Sequence, residues 1–188
     1  MSAGVRDAET DVTPFDERAD VRAAARNSVG SIVLQDARLL LIAVWLGAAV
    51  CFSFVVAPSA FAVLPARELA GNLVTRTLAI VNVAGFAVSL VLLASAFAGR
   101  SRLTRRAWFV ELVALALVAL TTCVGHWLIN ARLLALRHAM GRPIDAVAAD
   151  DPLRIAFNSL HGYSVVMLCV GMVAAVVALL AIARRRSS

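Results

Sequence analysis

The chain has 188 residues, 61% of them apolar and 16% charged, with a mean hydropathy of +0.85. That balance excludes an ordinary soluble globular domain and leaves little room for a soluble catalytic domain outside the apolar segments. The formal charge of +6 comes from 18 arginines, with no lysine, against 12 acids. Those arginines cluster at the ends of apolar segments, which suits anionic headgroups and membrane topology and not nucleic acid.

Residues 1–36 are polar and carry seven of the acids. Thr13 is placed to cap a helix, Pro14 to occupy its first position, and acids fill the first turn. Arg18, Arg22 and Arg26 then recur at i+4 spacing. The segment reads as a cytoplasmic tail, either a short amphipathic helix on the headgroups or a solvated extension. It lacks the short apolar core of a secretory signal, so the first membrane span is expected to be the retained targeting signal.

Residues 37–186 read as a four-transmembrane-helix domain. No charge interrupts 39–66, 77–99 or 155–183, and Glu111 is the single acid between Arg106 and Arg132. A helix needs ~20 mainly apolar residues to cross a ~30 Å hydrocarbon layer. The expected spans are about 38–64, 72–98, 107–134 and 152–183, and the fold class is an all-α integral membrane four-helix bundle. In span one Pro58 is expected to kink the helix or mark its outer end. "LPARELAG" leads into span two. Glu111, near Arg105 and Arg106 at the inner boundary of span three, reads as a snorkelling or ion-paired interfacial acid. Asp151-Pro152 starts span four, an N-cap acid followed by proline at the first helical position. Small residues at four-residue spacing (Gly85 and Ser89, Ala94 and Ala98, Gly171 and Ala175, Ala174 and Ala178) favour close helix approach. Cys51, Cys123 and Cys169 all fall inside spans and read as packing residues.

Intramembrane polar groups are expensive and mark candidate sites. Counting at ~1.5 Å per residue puts His126 and His161 in the outer leaflet, about a turn apart in depth. Asn130 shares the His126 face, and Asn158 and Ser164 share the His161 face. With Tyr163 these residues are expected to form an outer-leaflet polar cluster facing the bundle. One reading is a hydrogen-bond network that ties helices together. A second is a haem b or copper site with His126 and His161 as metal ligands. A third is a small-solute permeation pocket lined by Asn130, Asn158, His161 and Tyr163. The sequence has no G-x-S-x-G, P-loop or dinucleotide-binding glycine motif, so neither an enzyme nor a required cofactor is expected.

"WLG" and "FVVAPSAF" in span one, "ELAG" before span two and "FNSLHGYS" opening span four follow one another in an order that resembles the transmembrane-protein-205-like family. The resemblance implies a small four-helix membrane protein and brings no reaction with it. The sparse intramembrane histidines are also similar, in composition alone, to the copper-resistance D-like membrane domains. The expected role is that of an accessory or interaction protein, held in the lipid bilayer with a membrane-protein partner or a second copy. The arginine-only, alanine- and valine-rich composition points to a GC-rich bacterial source and so to the inner (plasma) membrane.

Orientation follows from arginine placement. Arg18, Arg22, Arg26 and Arg38 precede span one, Arg100, Arg102, Arg105 and Arg106 crowd the short loop before span three, and Arg184, Arg185 and Arg186 close the chain. Arg67, Arg76, Arg132, Arg137, Arg142 and Arg154 fall on the other side. The positive-inside rule then predicts cytoplasmic N- and C-termini. A reporter that is active only in the cytoplasm, fused after Ser188, is expected to be active. Activity from an exported reporter alone would reverse the orientation.

Overall fold

The structure is a computed structural model that describes residues 14–98 and 105–184. It forms two units divided between Ala37 and Arg38. Helix α1 is assigned over Pro14–Cys51, and its residues up to 37 belong to the first unit. The second unit continues with α2 (Ala57–Val63), α3 (Arg67–Ala98), α4 (Arg105–Cys123), α5 (Ala131–Met140) and α6 (Pro152–Arg184). No strand occurs among the described residues. Arg100, Arg102, Arg185 and Arg186 lie outside the described residues.

Four stretches are long and apolar enough to cross a membrane: Val29–Val63, Arg67–Phe97, Arg105–Met140 and Pro152–Arg184. The protein is therefore an all-α, multi-pass membrane protein. Span three is 36 residues long. At ~1.5 Å per residue it reaches about 54 Å, well beyond a ~30 Å hydrocarbon layer, so its end turns reach headgroup depth.

The helices pack through two apolar clusters. One runs through Ile42, Trp45, Ala49 and Phe52 of span one, Val81 and Leu92 of α3, Leu115 and Val118 of α4, and Ala174, Ala175, Ala178 and Ile182 of α6. The second, at the end that carries the connection between α5 and α6, contains Ile129, Leu133, Met140, Val147 and Phe157. Gly171, Ala174, Ala175 and Ala178 form the buried seam by which α6 lies on α4. A Cβ at Gly171 would come within 2.8 Å of Thr121 Oγ1, so the helices meet there nearly backbone to side chain. Ala94, by contrast, is exposed. Cys51 and Cys169 are exposed and Cys123 is half-buried, so only the last contributes to packing.

Two spans change helical pitch. Phe52–Val56 and Val124–Asn130 are π-helical. In span one the cause is Pro58, whose ring would collide with the carbonyl four residues earlier in a regular helix and which has no N–H to give. The chain widens into a π turn before the proline and the helix continues to Val63, so Pro58 does not end it. In span three, Thr121 and Thr122 hydroxyls donate back to the carbonyls of Leu117, Val118 and Ala119 just before the π segment. Such back-bonding loosens and bends helices. Span three then runs through α5 to Met140, where Gly141 at φ 61° provides the left-handed cap. Asp151 caps α6 by accepting a 2.8 Å bond from the Leu153 N–H.

Trp45 is the side chain that joins span one to span two. It is buried and its Nε1 donates to the Val81 carbonyl at 2.9 Å. Gly85, one turn along, makes the space, because a Cβ there would run into the indole. Gly85→Val is expected to lower the thermal midpoint of the detergent-solubilised protein by an overpacking cost of roughly 1–3 kcal/mol. Adding Trp45→Ala to that variant is expected to recover part of the loss. A Gly85→Val protein as stable as wild type would show that the indole is not seated there.

Candidate functional site

Polar side chains gather at both ends of the second unit. At the end where α4 begins, Arg38 of α1 forms an ion pair with Glu111 of α4. Glu111 has no exposed surface and Arg38 is only 5% exposed. The sequence places Glu111 near the arginines of its own helix at the interface. In the structure its ion-pair partner is instead an arginine of another span, and both groups are fully enclosed. Arg38 meets Glu111 near the start of α4, and removing either partner of a buried ion pair is strongly unfavourable.

At the opposite end Arg137 of α5 is the hub. Its Nη1 donates to Asn72 Oδ1 of α3 at 2.8 Å, and its guanidinium carbon lies 5.3 Å from the centroid of the Phe157 ring of α6. Gly71 makes room for it, because a Cβ there would be 2.8 Å from Nη2. His161 stacks on the same Phe157 ring, with centroids 6.3 Å apart and planes 2° from parallel. Arg137 thus joins three spans. It also brings "ELAG" and "FNSLHGYS", far apart in the chain, to one place.

This hub opens into a cavity of about 140 Å³, whose polar lining includes Arg67, Thr75, Arg137, Asp145 and His161. A larger cavity of about 480 Å³ shares Arg67, Arg137 and Asp145 and adds Glu68, His138 and Arg142. The 141–151 connection forms its outer wall, held by Arg154 Nη1 donating to the Val147 carbonyl at 2.6 Å. The sequence reading counted Arg137 and Arg67 as topology charges and did not single out Asn72. The available signal was Arg137 itself, a cation within the helical run that continues span three.

The expected polar cluster is only partly assembled. Ser164 is buried, and His126 and Asn130 are half-buried on the π segment of span three. Asn158 and Tyr163 are exposed and turned away from the packed interior, whereas His161, also exposed, sits at the rim of the Arg137 cavity on the same helix face as the buried Phe157 and Ser164. The reason is rotation: Phe157, Ser164 and Gly171 hold the packed face of α6, and that leaves Asn158 and Tyr163 on its outside. The two histidines also have different neighbours. His126 meets Trp127 edge-on at 4.7 Å, with its Nδ1 buried and without a hydrogen-bond partner among the described residues. Counted outward from the Gly171–Thr121 contact, His126 is roughly 7 Å up span three and His161 roughly 15 Å up span four. Among the described residues no three His, Cys, Asp or Glu side chains group as metal ligands would. Asn82, buried on α3 and packed against Gly125 of the same π segment, is a polar group that the sequence reading passed over.

Fold and site together define a multi-pass α-helical membrane protein with a buried charge pair towards one end and an arginine-centred cavity at the other. The chain belongs to a family described as a domain of unknown function (DUF4149), which it matches over residues 40–142. That range takes in Trp45, Gly71, Glu111 and Arg137. No curated protein and no solved structure matches the chain.

The buried pair gives a direct test. Arg38→Gln or Glu111→Gln alone is expected to destabilise the protein by roughly 3–5 kcal/mol, because each removes one partner of a buried ion pair. The double variant is expected to lose much less than the sum of the two, as read from unfolding midpoints in mild detergent. Additive losses would show that the residues are not paired.

Proposed function

We propose that the protein is a non-catalytic accessory or interaction protein of a bacterial inner membrane, working through its outer end with both termini in the cytoplasm. The observation that carries this reading is the exposure of polar side chains at the start of span four. Asn158 is exposed there and Tyr163 is 64% exposed, on a helix otherwise apolar enough to cross a membrane. Polar side chains near lipid are stabilised by a partner that supplies hydrogen bonds, and tyrosine suits the membrane interface in particular. The likeness of "ELAG" and "FNSLHGYS" to the transmembrane-protein-205-like family supports the same reading. So does the arginine asymmetry, for the orientation. Span four is then the face that meets a membrane partner or a second copy of the chain.

A photo-reactive phenylalanine analogue in place of Tyr163, activated in intact cells, tests this. The expected result is one defined adduct, to a partner protein or to a second copy, that is absent when the analogue replaces Val173 on another face of α6. Adducts to lipid alone at position 163 would contradict the reading.

A further inference from the structure

We infer that the outer cavity around Arg137 is a binding site for a phosphate group, with Arg137 as its principal ligand and Arg67 and His161 beside it. A guanidinium has five N–H donors in a fixed fork that matches two oxygens of a phosphate or carboxylate. In this structure Asn72, a neutral amide, accepts one of the Arg137 donors at 2.8 Å. Among the described residues no carboxylate comes within ion-pair distance of Arg67, Arg137 or Arg142. Glu68 and Asp145 line the same cavities but do not neutralise the group by direct contact.

The guanidinium is also held in place before any ligand arrives. Phe157 lies beneath it, Asn72 fixes one edge, and Gly71 admits Nη2 against the helix backbone. Such preorganisation lowers the ordering cost of binding. Thr75 does not compete as a donor, because its hydroxyl is committed to the Gly71 carbonyl at 2.7 Å.

Depth and lining select the ligand class. Arg137 is within one turn of the end of span three, at the level of outer headgroups, where charge is less screened than in bulk water. The same cavity is also walled by Phe61, Val74, Leu133 and Leu134. A lining that mixes cationic and apolar side chains fits a phosphate carried on an apolar body. The phosphate comes from one of two sources, a lipid headgroup or a soluble phosphorylated molecule.

The test uses the full-length protein in mild detergent, stripped of endogenous lipid. The probes are short-chain phosphatidic acid, phosphatidylcholine of the same chain length and inorganic phosphate, read by thermal shift and native mass spectrometry. Wild type is expected to retain one phosphatidic acid per chain in preference to phosphatidylcholine. Arg137→Gln is expected to weaken binding about tenfold or more, the effect of losing a charge-assisted hydrogen-bond pair. Arg137→Lys, which keeps the charge and loses the fork, is expected to fall between. Arg132→Gln, exposed and outside the cavity, is expected to bind as wild type. Weak competition by inorganic phosphate assigns the site to a lipid headgroup, and full competition assigns it to a soluble phosphate; both support the inference. Because Arg67 is exposed, Arg67→Gln folds independently of the hub and is expected to weaken binding severalfold. Wild type that binds neither probe, or unchanged affinity in Arg137→Gln or Arg67→Gln, would overturn it.

Discussion

The arrangement of the bundle depends on the buried pair between Arg38 and Glu111. In a bilayer an apolar side chain gains little by facing another helix in place of an acyl chain, so the hydrophobic effect does not choose helix neighbours. A fully enclosed carboxylate does choose, because its ionised form is stable only beside a cation. Glu111 on span three therefore requires span one to present Arg38 at that depth and rotation. The same logic recurs outward. The Trp45 indole finds the Val81 carbonyl at mid-bundle, and the Arg137 guanidinium finds Asn72 at the outer end. Polar ties at successive depths set which helix meets which, and the apolar clusters fill in around them.

Each tie is accompanied by a place where a side chain is missing. Gly85 yields to Trp45 and Gly71 yields to Arg137. The glycine allows a large polar side chain to come against a neighbouring helix, which shortens its reach to a carbonyl or amide. At Arg137 this geometry bears on the proposed binding site. Arg137 is held by Asn72 and Phe157 with no carboxylate among the described residues in ion-pair contact, so the fixed guanidinium keeps donors to offer in the proposed site.

Much of the architecture was legible in the sequence because hydrocarbon thickness imposes a length that charge-free runs reveal directly. The four spans, the Asp151 cap and the small-residue seam on α6 follow from spacing alone. Rotation about the helix axis does not, since one chain with several apolar faces leaves the packed face open. That is why Asn158 and Tyr163 read as inward-facing and are instead turned outward, while Phe157 and Ser164 take the inner positions and His161 stands beside them at the cavity rim. The π turns also escape sequence pattern, because each shifts the face of everything beyond it. Arg38 and Arg137 were visible as charges but resembled topology signals, and only their partners distinguish the two roles. Glu111 read as a snorkelling or ion-paired acid near Arg105 and Arg106, and its spacing could not reveal that the cation comes from another span, as Arg38 does.

Infrared spectroscopy of the protein in lipid, with Glu111→Gln as the subtraction reference, reads the state of that buried carboxyl directly. An ionised, paired Glu111 contributes carboxylate stretching bands that vanish in Glu111→Gln and move when Arg38 is replaced by glutamine. A protonated carboxylic acid band from Glu111 in the wild-type protein, unaffected by Arg38→Gln, would contradict the charge pair on which the arrangement of the bundle depends.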